Sequence, residues 1–239
     1  MNLYGASIRS KLGLMTTRYF ALVGDLIKSR KQSNRSALAE LIEDVIRQIN
    51  KRFASNFVAS LETTRGLDEV SSLLQEPTHA FVIAFAINLS LWPAMFRFGL
   101  GDGDIDVWGK SGRASDMDGS AFHHAAEALA RGRSRDIPFS INIQGLPNAA
   151  GSLIEAAGVL HQAVMRDWTS KSADVIRIYR PLSGENPTQE QLAARLGQSQ
   201  QALSEAIRRG HLSELTLAQD TIRVVLGSRT RRLQFETAQ

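Results

Sequence analysis

The chain has 239 residues, of which 43% are hydrophobic and 22% charged, and it carries a net charge of +4; this is a globular composition, with length for one large domain or two smaller ones. The absence of cysteine excludes disulfides, thiolate zinc sites and cysteine nucleophiles, and no run approaches the roughly 18 apolar residues of a membrane span. Basic and acidic residues nearly balance in each half, so neither half is a strongly basic module, and the expected location is the cytoplasm, away from membranes.

Residues 1–17 hold Arg9 and Lys11, no acidic side chain and no sustained apolar segment. They read as a disordered N-terminal extension outside the fold, with Met15 an alternative start. Residues 19–23 form a short apolar strand closed by Gly24 and Asp25. Ser33 or Asn34 then caps a helix that places Leu38, Leu41, Ile42, Val45, Ile46, Ile49 and Phe53 along one face. Residues 57–63 and 70–74 make a hairpin around the turn Arg65, Gly66, Leu67, Asp68, Glu69.

A helix over 78–91 is apolar almost all round, as expected of one pressed on a sheet, and Pro93 ends it. Residues 95–100 and 105–108 read as strands around Gly99, Gly101 and Gly103. Asp118 caps a third helix carrying Phe122, Ala125, Ala126 and Leu129, and 137–143 returns as a strand. This is an α/β domain with helices on a sheet, spanning 18–146. From 147 to 239 the pattern is all-helical, with Leu153, Ala156, Ala157, Leu160, Val164 and Trp168 at helical spacing.

Residues 187–210 read as a helix-turn-helix. Thr188 caps the first helix, Leu192, Ala193 and Leu196 face inward, and Gly197 takes the tight turn. Ser199 caps a second helix in which Ala202, Leu203 and Ile207 turn inward and Gln200, Gln201, Ser204, Glu205 and Arg208 turn outward. In a major groove Gln pairs with adenine, Arg with guanine and Glu with the cytosine amino group, each worth about 1–3 kcal/mol of discrimination. Ser199, Gln200, Gln201, Ser204, Glu205 and Arg208 are the candidate contacts to double-stranded DNA, with Arg195, Arg209 and the cluster Arg229, Arg231 and Arg232 on phosphates. Such units work in pairs, which predicts a homodimer; Leu212, Leu215, Ala218, Ile222, Val225 and Leu226 supply either its contact or ordinary packing. A plain helical hairpin inside a bundle is the competing description.

Asp25, Asp68 and Glu69 fall at the ends of neighbouring expected strands. Carboxylates gathered in this way suit Mg²⁺ and the phosphates it carries. The same residues would serve a purely structural role if Asp25 capped a turn and Asp68 braced the hairpin. His123 and His124 are adjacent on a helix and point apart, so they read as structural or surface residues. Asp102, Asp104 and Asp106 lack the downstream acid of a calcium loop and read as a solvated strand edge.

The run Val23, Gly24, Asp25, Leu26, Ile27, Lys28, Ser29, Arg30, the hairpin turn, the segment Arg97 to Gly103, the motif Asp118, Gly119, Ser120, Ala121, Phe122 and the helix pair resemble the SatD family over most of the chain. The order of elements also resembles the palm-like, ferredoxin-type sheet of GGDEF diguanylate cyclases and class III nucleotidyl cyclases. That resemblance implies a metal held by Asp25 and Asp68, with Glu69 beside them, and nucleotide contacts from Lys28, Ser29, Arg30 and Gly66. Leu67 stands where the GGDEF hairpin has a second glycine, and its side chain opposes close backbone approach. This weighs against turnover more than against binding.

Two functions follow as expectations. One is a DNA-binding transcription regulator whose palm-like domain senses a nucleotide and Mg²⁺. The other is a Mg²⁺-dependent nucleotidyl cyclase or nucleotidyltransferase, active or degenerate.

Overall fold

The computed structural model describes residues 18–27, 35–64, 66–180, 182–183 and 187–236, with side chains as far as residue 228. The expected extension over 1–17, the candidate nucleotide contacts Lys28, Ser29 and Arg30, and the side chains of Arg229, Arg231 and Arg232 lie outside the described residues. The fold is α+β, with a five-stranded mixed sheet and, among the described residues, eight α-helices.

Strand β1 (Tyr19–Leu26) is central, and helix α1 (Arg35–Arg52) follows it. The hairpin of β2 (Phe57–Thr63) and β3 (Glu69–Leu74) leads to α2 (Ala80–Leu91) and β4 (Phe96–Gly103). Then come α3 (Ser120–Arg135) and the short β5 (Phe139–Asn142). The sheet order is β2-β3-β1-β4-β5, antiparallel except for the parallel β4–β5 pair.

The alternation of side chains along β1 gives the sheet two different faces. Phe20, Leu22 and Leu26 join Ile42, Val45 and Ile49 of α1 and Phe81, Ile83 and Ile87 of α2 in the larger core. Ala21 instead meets Leu73, Ala121 and Ala125, so the opposite face belongs to α3. That face is built for close approach. A Cβ at Gly99 or Gly101 would overlap the α3 backbone at Ala125, and one at Gly103 would overlap Ser120. The alternating glycines of β4 therefore let a helix lie almost on the strand.

Four sequence expectations change here. Residues 105–108 make no strand; only Val107 bridges to Asp118, because the segment leaves the sheet to cover its α3 face, where Ile105 and Met117 pack. With its backbone paired to Val107, Asp118 does not cap α3, which starts after Gly119. Leu41 is exposed rather than on the α1 core face. Asp102 is not on a solvated edge: it is fully buried, pairs with Arg18 at 3.1 Å and accepts the Gln144 N–H at 2.8 Å.

The helical part comprises α4 (Asn148–Arg166), α5 (Ser170–Tyr179), α6 (Gln189–Leu196), α7 (Gln200–Arg209) and α8 (Leu212–Glu236). Of the residues read at helical spacing, Ala157 and Val164 pack on the cores, but the leucines do not. Leu153 and Leu160 are 71% and 67% exposed, while Ile154, Gly158, His161, Gln162 and Met165 are buried. His161 makes this possible by finding carbonyl partners in Ala157 and Leu215. The helices share their core with the sheet domain: Phe85, Leu89 and Met95 join Met165, Trp168, Ile176, Leu203 and Ile207. Arg177 fastens the join by donating to the Leu89 and Trp92 carbonyls at 3.1 and 2.7 Å.

Candidate functional sites

The first candidate lies at the end of β1 and β3. Register sets Asp25 directly opposite Glu69, so their side chains share the α3 face. Like charges opposed across a ladder repel, and Arg133 of α3 relieves this pair by donating Nε and Nη2 to Asp25 Oδ2 at 3.1 and 2.9 Å. Both donors fall on one oxygen, which leaves Asp25 Oδ1 buried without a hydrogen-bond donor. Asp68 sits one step outside β3, where its carbonyl accepts the Leu26 N–H at 2.8 Å. Its carboxylate approaches Arg35 at the start of α1 to 3.6 Å, an ion pair too long for a hydrogen bond, and its Oδ1 is also buried without a donor.

The three expected acidic residues thus gather at one end of the sheet but do not face one way. Asp25 and Glu69 turn toward α3, and Asp68 turns toward Arg35. Among the described residues no three His, Cys, Asp or Glu side chains group closely enough to hold an ion. Gly66 takes φ +61° in the hairpin turn with open space where a side chain would stand, so its glycine answers to backbone conformation. Leu67 is partly buried and packs on the main core.

Arg133 is the residue that sequence reasoning missed here, since nothing local in its helix announces a partner 108 positions earlier. The segment opposite α3 was missed as well. Glu62 of β2 accepts from Arg113 Nε at 2.7 Å and from the Ser115 N–H at 2.8 Å, pinning the 104–118 loop over the hairpin. Burial works against the charged form of Glu62, yet these hydrogen bonds hold its carboxyl below the usual range.

The second candidate is the α6–α7 pair. Thr188 and Gln191 exchange reciprocal side-chain-to-backbone bonds at 3.2 and 3.0 Å, a capping box that starts α6. Gly197 ends the helix at φ +60°, and Ser199 Oγ accepts the Ala202 N–H at 3.1 Å to start α7. Leu192 and Ala193 of α6 and Leu203 and Ile207 of α7 are buried against Ala173, Val175 and Ile176 of α5. Ala202, expected inward, is exposed, because one turn after the cap the buried stripe runs through Leu203 and Ile207 only.

Gln200, Gln201, Ser204, Arg208 and Arg209 are exposed on α7, together with Arg195 on α6 and Ser199 at the turn. Glu205 lies among them and takes Arg208 through Nε and Nη2 at 3.0 and 2.8 Å and Arg209 through Nε at 2.8 Å. Those hydrogen bonds, Arg208 first, push the Glu205 carboxyl down to about 2. The helix thus presents amide and hydroxyl groups beside two guanidinium groups held by its own carboxylate. Leu212, Leu215, Ile222 and Leu226, considered for a dimer contact, are buried within the chain. Among the described residues no helix is long and apolar enough to cross a membrane.

Comparison with known proteins adds a family. No curated protein matches the chain. Two solved chains, each from a bacterial light-regulated adenylyl cyclase, share 14% and 13% identity with it at TM-scores of 0.39 and 0.35. Each alignment covers 52% of this chain, and it spans 43% of the first cyclase chain and 75% of the second. The sequence model described as the SatD family matches residues 19–217, and the chain belongs to that family.

Proposed function

We propose that this SatD-family protein is a DNA-binding transcription regulator in which α6 and α7 act as a helix-turn-helix and α7 enters the major groove. The observation that carries the reading is α7 itself: capped at Ser199, seated by Leu203 and Ile207, and exposing Gln200, Gln201, Ser204 and Arg208. A helix fixed at its start and inner face holds its outer side chains in register with base edges. Arg195 and Arg209 serve the phosphates. Two copies reading two half-sites make the functional unit a homodimer.

Fluorescence anisotropy with genomic duplex fragments over a salt series tests this. The expected result is one fragment class held above the non-specific level, weakened about tenfold or more by Gln201→Ala, in line with one lost base contact. No fragment binding above background at moderate salt retires the proposal.

A second reading concerns the acidic end of the sheet, which we propose holds Mg²⁺ with a nucleotide as a sensor or as a cyclase-like catalytic remnant. Its support is that Asp25 Oδ1 and Asp68 Oδ1, at one end of the sheet, are each buried with no donor. Hard oxygen donors of this kind fit Mg²⁺, which is bound by one or two carboxylates and completes its shell with water and phosphate. When bound, the ion would neutralise nucleotide phosphates. Asp25 would hold it beside Glu69, with Asp68 and Gly66 at the same end of the sheet. Calorimetry with Mg²⁺ and each nucleoside triphosphate should show binding that Asp25→Asn abolishes. Unchanged binding in that variant removes the site.

A further inference from the structure

Helix α4 turns an uncharged, apolar face to solvent. Leu153 and Leu160 are 71% and 67% exposed, and Val159 is 43% exposed, where the outer face of a surface helix ordinarily carries charge. The only charged residue between Asn148 and Met165, Glu155, is turned aside to Arg131 and to the Ile141 N–H of β5. Helix α8 also exposes Leu217 and Val224, but Asp220 and Arg223 stand between them and pair at 3.5 Å. No such pair interrupts the leucines of α4.

The face repeats every seven residues. Ala149, Ala156 and Ala163 form its midline, Leu153 and Leu160 one flank, and Ser152 and Val159 the other, all of them exposed. A seven-residue repeat is the seam along which two helices pack, and alanines on the midline let their axes approach closely. The pattern is also centred on Ala156. Ala149 and Ala163 lie seven residues to either side, and on each flank a residue three or four before is matched by one four or three after. An antiparallel copy related by a two-fold axis at Ala156 therefore sets Ala156 on Ala156, Ala149 on Ala163, Leu153 on Leu160 and Ser152 on Val159. Such self-complementarity is what an isologous contact requires, and an unrelated partner has no need of it. The ends match as well. Helix α4 starts with no side-chain cap and no acidic residue in its first turn, while the exposed Asp167 follows Leu160 by seven residues on the same flank. Reversal brings that carboxylate to the start of the other copy's helix, where negative charge is favoured.

We propose that α4 is the self-association surface of this protein, an antiparallel pair about Ala156. At about 1.5 Å per residue its 19 residues span about 28 Å, and at a width of about 10 Å the face offers on the order of 300 Å² per copy, below the roughly 800 Å² of a standard interface. The dimer is accordingly weak and dissociates on dilution. It supplies the contact that the homodimer of the DNA reading needs but rests on α4 alone, so it is tested without DNA.

Sedimentation equilibrium of the full chain from about 1 µM to about 1 mM should show monomer giving way to dimer, and Leu160→Glu should stay monomeric throughout, a weakening of about a hundredfold or more because both copies lose a leucine. Circular dichroism checks that this exposed substitution leaves the fold intact. The chain has no cysteine, so single cysteines report the geometry. Under mild oxidation Ala156→Cys should cross-link with itself, whereas Ala149→Cys and Ala163→Cys should cross-link with each other in a mixture and neither alone. The proposal is overturned if the chain is monomeric at the highest concentration, if Leu160→Glu dimerises as the unaltered chain does, or if Ala149→Cys cross-links alone as readily as Ala156→Cys. A dimer that binds no duplex retires the DNA reading and leaves this one standing, and duplex binding by a chain that stays monomeric does the reverse.

Discussion

His161 should make the protein lose stability on acidification, and the size of that loss follows from its surroundings. The residue is 5% exposed, its ring edge-on to Phe81 and Phe85 at centroid distances of 5.0 and 5.5 Å. Nδ1 faces the Ala157 carbonyl at 2.8 Å and Nε2 the Leu215 carbonyl at 3.2 Å. Two acceptors favour the imidazolium, but burial outweighs them and pulls the pKa below its ordinary value. A histidine depressed in the folded state binds its proton more readily when unfolded. Stability is therefore intact above the unfolded pKa of about 6.5 and falls as pH drops from there toward the folded value. One proton gives a slope of up to about 1.4 kcal/mol per pH unit in that window. His79 is also lowered, first by burial and then by Arg223, and adds to the total slope. Urea unfolding from pH 8 to pH 5 should show the loss, and His161→Phe, less stable at neutral pH for want of the one carbonyl bond a neutral imidazole donates, should have a shallower slope. Parallel slopes for the two proteins would refute the assignment.

Gly101→Ala drives a methyl into the α3 backbone at Ala125 and should cost about 3 kcal/mol or more in urea melts, the upper range of overpacking; a change under about 0.5 kcal/mol would contradict the close helix-on-strand contact. Arg133→Ala leaves Asp25, whose side chain is 15% exposed, without its cation, and should destabilise by about 1–2 kcal/mol in urea melts at neutral pH; an unchanged midpoint would contradict the pairing. Glu205→Gln frees two guanidinium groups on α7. Non-specific duplex affinity should rise several-fold, and the dependence of log K on log salt should steepen by roughly one; an unchanged slope would mean that these arginines do not meet phosphate.

The parts legible in the sequence are those whose cause is local. Thr188 with Gln191, Gly197 and Ser199 are neighbours along the chain, so their caps and turn could be read before any packing was known. The hairpin follows similarly from its own turn, whereas the register that sets Asp25 opposite Glu69 pairs strands separated by α1 and β2. What stayed hidden depends on partners far away. Leu153 and Leu160 have the spacing of a core stripe, but helix α4 turns His161 and Gln162 inward instead, once Phe81, Phe85 and the Leu215 carbonyl stand there to receive the imidazole. Glycines 99, 101 and 103 gave no hint of helix α3, whose approach they permit. The same holds at the acidic end. Sequence supplied the carboxylates, but Arg133 arrives through α3, which reaches β1 only because β4 is stripped of side chains on that face. What Asp25 can bind is therefore governed by the glycine stripe as much as by the carboxylates themselves.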